Sequence, residues 1–226
     1  MKTQKIARSA KNLAALVALS SSLVCGAEEA KKVDMTPHGR VEVMAGADYT
    51  STDATIYGSL PYNFGYFGRN TTSFNYKSGQ ITPFAFIDLS RTIGKGFDAV
   101  YETQFIDNSN GPIVTPRAGI QTFRELGKNL TLYTIGTANF PTQRDPEANG
   151  EIVATLRYSP QLTKSIKGIA QLETVTNFGS KGLNFASQQI RLGAAYKRLE
   201  AGAAVNFCET SSSFSYTPGF FVGFNF

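Results

Sequence analysis

Phe220-Phe221-Val222-Gly223-Phe224-Asn225-Phe226 ends the chain and decides how the rest of it is read. Taken by twos from the end, the residues are Phe226, Phe224, Val222, Phe220, Pro218, Tyr216 and Phe214. The set between them, Asn225, Gly223, Phe221, Gly219, Thr217 and Ser215, is small or polar apart from Phe221. Successive side chains on a strand point to opposite faces, so this pattern describes a strand of about thirteen residues with one apolar face. A strand tilted by about 45° needs roughly nine to eleven residues to cross a bilayer core. The competing reading is an ordinary amphipathic terminal strand of a soluble β-protein.

The other end carries an address. Lys2, Lys5, Arg8 and Lys11 precede an apolar run over residues 13–24, and Cys25-Gly26-Ala27 supplies small residues for cleavage. This is the layout of a secretory signal over residues 1–27, too short for a transmembrane helix. Acylation at Cys25 is an alternative, weakened by Val24 just before it. Four of the 22 Lys and Arg, and none of the 17 Asp and Glu, lie in this segment. The remainder is close to neutral, which removes support for a nucleic-acid partner. Cys208 is then the one remaining thiol, so no intramolecular disulfide is expected. No later apolar run approaches the length of a membrane helix.

Residues 28–38 are polar and aperiodic and read as a periplasmic leader, leaving residues 39–226 for one domain. Extended segments recur near 40–49, 80–90, 97–106, 119–126, 130–138, 151–158, 167–176, 188–197, 199–208 and 214–226. Short connections alternate in this reading with long ones at 50–79, 107–118, 139–150, 177–187 and 209–213, which are rich in Asn, Ser, Gly, Pro and Thr. Segment 50–79 is odd, because solvated loops rarely hold seven aromatic rings. It reads either as a folded loop or as an extra strand pair near 53–60 and 71–78. The expected fold is all-β, an antiparallel up-and-down transmembrane barrel of about ten strands, with twelve as the alternative and eight as a third count.

Several segments have two distinct faces. Leu199, Ala201, Ala203, Val205 and Phe207 oppose Glu200, Gly202, Ala204, Asn206 and Cys208; Ile152, Ala154, Leu156 and Tyr158 oppose Glu151, Val153, Thr155 and Arg157. The apolar sets are expected to face lipid. The expected lumen lining is Glu42, Glu102, Gln104, Arg124, Arg157, Gln171, Glu173, Gln189, Arg191 and Asn206. Carboxylates and guanidiniums facing inward either pair and plug a narrow barrel or form a wetted constriction. Gly and Ala at positions 193, 195, 202, 204, 219 and 223 point toward an open path.

Little in the chain suggests catalysis. The single histidine, His38, precedes the first strand, and no His/Cys cluster has metal-ligand spacing. Asp145, Glu147 and Glu151 read as a solvated acidic loop more readily than as a cation site. No cofactor and no enzymatic activity are expected.

The signal segment, the strand rhythm and the tail together resemble Gram-negative outer-membrane β-barrel proteins of the small porin-like kind. In that family's pattern Phe220, Val222, Phe224 and Phe226 correspond to a C-terminal assembly signal. The tail is also similar to that of nucleoside-channel-type proteins, although the absence of Trp departs from that group. The resemblance implies location in the outer membrane, contact with its lipid and lipopolysaccharide, insertion by the barrel-assembly machinery, and passive diffusion of small polar solutes. A closed barrel acting through its outer loops, in adhesion, recognition or envelope structure, is the alternative, and a soluble lipocalin-like binder is a third reading.

Overall fold

The computed structural model describes residues 35–108, 111–142 and 147–226; the segment read as a signal, and most of the expected leader, lie outside them. Twelve strands follow one another: β1 (His38–Gly46), β2 (Tyr49–Leu60), β3 (Phe64–Asn75), β4 (Ile81–Gly94), β5 (Phe97–Asn108), β6 (Gly111–Gly127), β7 (Leu130–Asn139), β8 (Asn149–Tyr158), β9 (Ile166–Gly179), β10 (Gly182–Tyr196), β11 (Leu199–Thr210) and β12 (Phe214–Asn225). Each pairs antiparallel with its chain neighbours, and β1 pairs with β12, so the sheet closes without an edge. The end carrying His38 and Phe226 is called the lower end, the other the upper end.

The count is twelve, the expected alternative, and the ten-strand count falls short by the pair β2–β3. Segment 50–79 is almost wholly extended, and its turn is residues 61–63, with Tyr62 and Asn63 at positive φ. Five of its seven rings lie on strands of the wall, Tyr62 and Tyr76 standing in the turns. Phe64, Tyr66 and Phe74 lie on the outward register, whereas Phe67 turns inward and stacks on Phe86 of β4 at 5.5 Å. The inward Phe84 and Phe86 also explain why residues 80–90 are apolar on both faces. The stretches 107–118 and 177–187, expected as long loops, are largely the upper halves of the hairpins β5–β6 and β9–β10. The long-and-short alternation therefore disappears: upper connections such as 47–48 and 180–181 are as tight as lower ones such as 95–96 and 197–198. In the 95–96 turn, Gly96 adopts φ +77, a conformation that glycine reaches without a steric penalty.

The alternation of the final strand runs around the ring. Phe220, Val222, Phe224 and Phe226 are exposed on the outer wall, as are Val41, Val43, Ile87, Leu89, Tyr101, Ile120, Ile152 and Leu192. Burial is inverted: Glu42, Asp88, Glu102, Arg117, Arg191 and Glu200 are the enclosed residues. An apolar exterior around a polar interior is the arrangement of a transmembrane barrel. It is the opposite of what a lipocalin-like soluble binder needs. The main apolar cluster inside is small, with Phe221 against Met44 and Ala204 and Tyr49 packed at its edge.

Candidate functional site

Alternation sends every second residue of each strand into the lumen, and there the polar side chains form two groups. The first spans β1–β3 and β8–β12. Glu42 on β1 is held by both terminal nitrogens of Arg191 on β10, Nη2 at 2.9 Å from Oε1 and Nη1 at 3.0 Å from Oε2. Arg40 also meets Glu42, and its Nη2 lies 3.1 Å from Glu200 Oε2 on β11. Glu200 receives Arg157 Nη2 from β8 at 2.6 Å and Asn225 Nδ2 from β12 at 3.3 Å. Two strands lie between β1 and β10 in the ring, and two between β8 and β11, so these side chains span chords of the lumen. The planar guanidinium fork suits such bridging because it serves two carboxylates at once.

A third crossing joins opposite walls. Arg69 on β3 holds Asp53 on β2, its Nε 2.6 Å from Oδ2, and Thr71 Oγ1 donates to the same oxygen at 3.1 Å. Arg69 Nη1 also extends to 3.9 Å from Glu173 Oε1 on β9, six strands away in a ring of twelve. Toward the upper end lies a cavity of about 500 Å³. Tyr49, Ser51, Ser73, Asn75, Gln80 and Thr82 line its sides, and Glu42, Asp53, Arg69, Glu173 and Arg191 also border it.

The second group lies on β4–β8. Arg117 Nε is 3.2 Å from Glu102 Oε1 and donates to Thr137 Oγ1 at 2.9 Å; its Nη1 reaches Gln104 and Asn149, each at 3.4 Å. Gln104 Nε2 donates to Glu102 at 2.7 Å. Asp88 is the direct cross-strand neighbour of Glu102. Asp88 Oδ1 and Arg117 Nη2 are buried without a hydrogen-bond partner.

Nine of the ten expected lumen residues point inward. Besides those above, Gln171 Oε1 accepts from Arg157 at 3.5 Å, Gln189 Nε2 donates to Asn206 at 3.0 Å, and Asn206 Nδ2 donates to Tyr49 Oη at 2.6 Å. Arg124 is the correction. It shares a face with Leu132 and lies over the ring of Phe97 at 5.4 Å, on the outer wall near the lower end. Its head donates to the carbonyl of Lys95 at 3.3 Å. The spacing of small lumen residues also misled. Gly193 and Gly202 face each other so closely that a Cβ on Gly202 would lie 2.2 Å from the Leu192 carbonyl. Gly223 seats the Arg40 guanidinium, and Phe221, with Arg191 over its ring at 5.5 Å, fills the space beside it.

Sequence reasoning missed Arg40, Asp53, Arg69, Asp88 and Arg117 as lumen residues. Asp53, Arg69 and Arg117 lay in stretches read as loops, where extended Ser/Thr alternation at Ser51, Asp53, Thr55 was the available signal. Cys208 faces the lumen beside Ser187 and Ser215. Of the acidic trio, Asp145 lies outside the described residues, and Glu151 accepts from Asn177 Nδ2 at 3.3 Å inside the barrel.

No protein-family model matches the chain, and no curated protein matches its sequence. Solved structures do match in shape. The NanC porin in a rhombohedral crystal form aligns with a TM-score of 0.53 at 7% identity, over 83% of this chain and 98% of that one. The KdgM porin in complex with disordered oligogalacturonate aligns with a TM-score of 0.51 at 11% identity, over 84% of this chain and 99% of that one. The closed ring of twelve strands and its apolar exterior are those of a transmembrane β-barrel, and these likenesses show that it shares its fold with small porins.

Proposed function

We propose that this barrel is a passive channel for small hydrophilic solutes, narrowest where Arg69 meets Glu173. The observation that carries the reading is the polar upper cavity of about 500 Å³ bordered by that contact. The Arg69 and Glu173 side chains are 31% and 20% exposed, against 3% and 6% for Arg117 and Glu102. A hydrated pair at a constriction can exchange its partner for a passing polar solute, whereas a dry pair is structural. The likeness to a porin solved with oligogalacturonate supports admission of polar solutes by a barrel of this shape. The lower end is assigned to the periplasm, the outer wall to lipid and lipopolysaccharide, and Phe220, Val222, Phe224 and Phe226 to recognition by the assembly machinery. Action through outer loops is disfavoured, because most upper connections are too short to build a binding surface.

Single-channel recording in planar bilayers tests the reading. The wild type should conduct, and Arg69→Gln should raise the unit conductance by removing the longer, charged head from the constriction. A barrel that inserts fully yet neither conducts nor admits small sugars into liposomes would overturn the channel in favour of a closed barrel.

A further inference from the structure

The two ionic groups differ in balance. In the first, Arg40, Arg69, Arg157 and Arg191 match Glu42, Asp53, Glu173 and Glu200, and every one of these residues has an opposite charge within 4 Å. The β4–β8 wall carries two cations among the described lumen residues: Arg157, at the lower end of β8 and already engaged by Glu200 of the first group, and Arg117. Arg117 stands with four carboxylates: Asp88, Asp98, Glu102 and Glu151. They are spread along the path. Glu151 lies near the upper end of β8, Asp88 and Glu102 lie mid-strand, and Asp98 lies beside the lower turn. Neutral donors fill some of the gaps: Gln121 Nε2 meets Asp98 at 3.2 Å and Asn177 Nδ2 meets Glu151 at 3.3 Å. Asp88, 3% exposed, keeps Oδ1 without a hydrogen-bond partner beside Glu102. With Arg157 offset by Glu200, a proton shared between those two carboxyls would still leave two negative groups that Arg117 does not balance.

We infer that the β4–β8 wall is a track for cations, so that the channel prefers cationic over anionic solutes. The inference rests on the channel reading above. Because the balanced group neutralises itself, the field in the lumen is set by the wall with the surplus. A polyanionic sugar chain would meet uncompensated carboxylates at both ends of this wall, whereas an ammonium or metal cation would meet acceptors at Glu151 near the upper end and Asp98 near the lower, with the buried Asp88 and Glu102 adding to the field between them. At about 4 Å in water one unit charge biases a monovalent ion roughly fivefold. A permeability ratio of K⁺ over Cl⁻ on that order is expected at low salt, falling as the Debye length shrinks from about 10 Å at 0.1 M to about 3 Å at 1 M.

The reversal potential across a KCl gradient decides. Wild type should show K⁺ preference, and Asp98→Asn with Glu151→Gln should move the ratio toward unity. Glu209→Gln, on the outward register of β11, should leave it unchanged. A conducting wild type that favours Cl⁻ or discriminates against neither ion overturns the cation track while leaving the channel intact. Retention of the wild-type ratio by the double variant overturns it as well. A barrel that inserts without conducting fails at the channel reading, and the track falls with it.

Discussion

Arg117 shows what a single lumen residue is responsible for. Its side chain lies against Glu102, Thr137, Gln104 and Asn149, and it is 2% exposed. Removing it leaves Glu102 and Asp88 facing each other with no cation between them, and breaking one side of a buried pair typically costs about 3–5 kcal/mol. Arg117→Met should therefore lower the urea midpoint in detergent far more than Lys77→Met, whose partner Asp48 lies in an exposed upper turn. Equal midpoints for the two variants would show that the wall tolerates bare carboxylates. The balanced group works differently, since Glu42 and Glu200 each see two guanidiniums, so loss of one still leaves the carboxylate with a partner.

At the scale of the strand, facing decides the outcome of a substitution. Leu192 is 61% exposed on the outer wall of β10, and an arginine there should cost about 2–4 kcal/mol at the bilayer midplane. Ser187, on the opposite face of the same strand and lining the upper cavity, should accept an arginine with much less loss. Heat-modifiability on gels reads both, and equal loss would contradict the facing. Ala204, though inward, is no such comparator, because it is packed against Met44 and Phe221. Strands with one apolar face, such as β8, β11 and β12, were legible from sequence because lipid demands that face be apolar. The β2–β3 pair was not. Thr50, Thr52 and Ala54 point outward while Ser51, Asp53 and Thr55 point inward, so both faces are small or polar and the alternation flattens. The bulge between Glu125 and Gly127 ends the clean ladder just past Arg124, where a charged residue can stand on the outer wall at the rim. The lumen partners were illegible for a different reason. Glu42 meets Arg191, and Arg157 meets Glu200, only after closure brings non-neighbouring strands across from one another, and period-2 patterning carries no information about chords.

For the whole molecule, closure is one seam. The β1–β12 ladder runs only from Arg40–Asn225 to Gly46–Gly219, whereas β10–β11 holds from Phe185–Thr210 to Tyr196–Leu199. At its lower end Gly39 and Phe226 exchange both backbone hydrogen bonds, at 3.1 and 2.9 Å, and the Phe226 ring lies over Gly39, where a Cβ would come within 2.3 Å of it. Deleting Phe226 removes these bonds and the covering ring together, so folding into lipid vesicles should slow and leave more unassembled chain. Assembly at the wild-type rate and yield would remove the support for a role of this residue in closing the barrel. The upper rim has a consequence of its own. Apart from residues 140–148, every upper connection is five residues or shorter. In the proposed orientation, the end turned to the medium would offer an antibody or a protease mostly hairpin tips rather than lobes. Elsewhere, new recognition arises by lengthening and varying loops; a barrel trimmed this closely has to diversify from within, by exchanging the residues that line its bore.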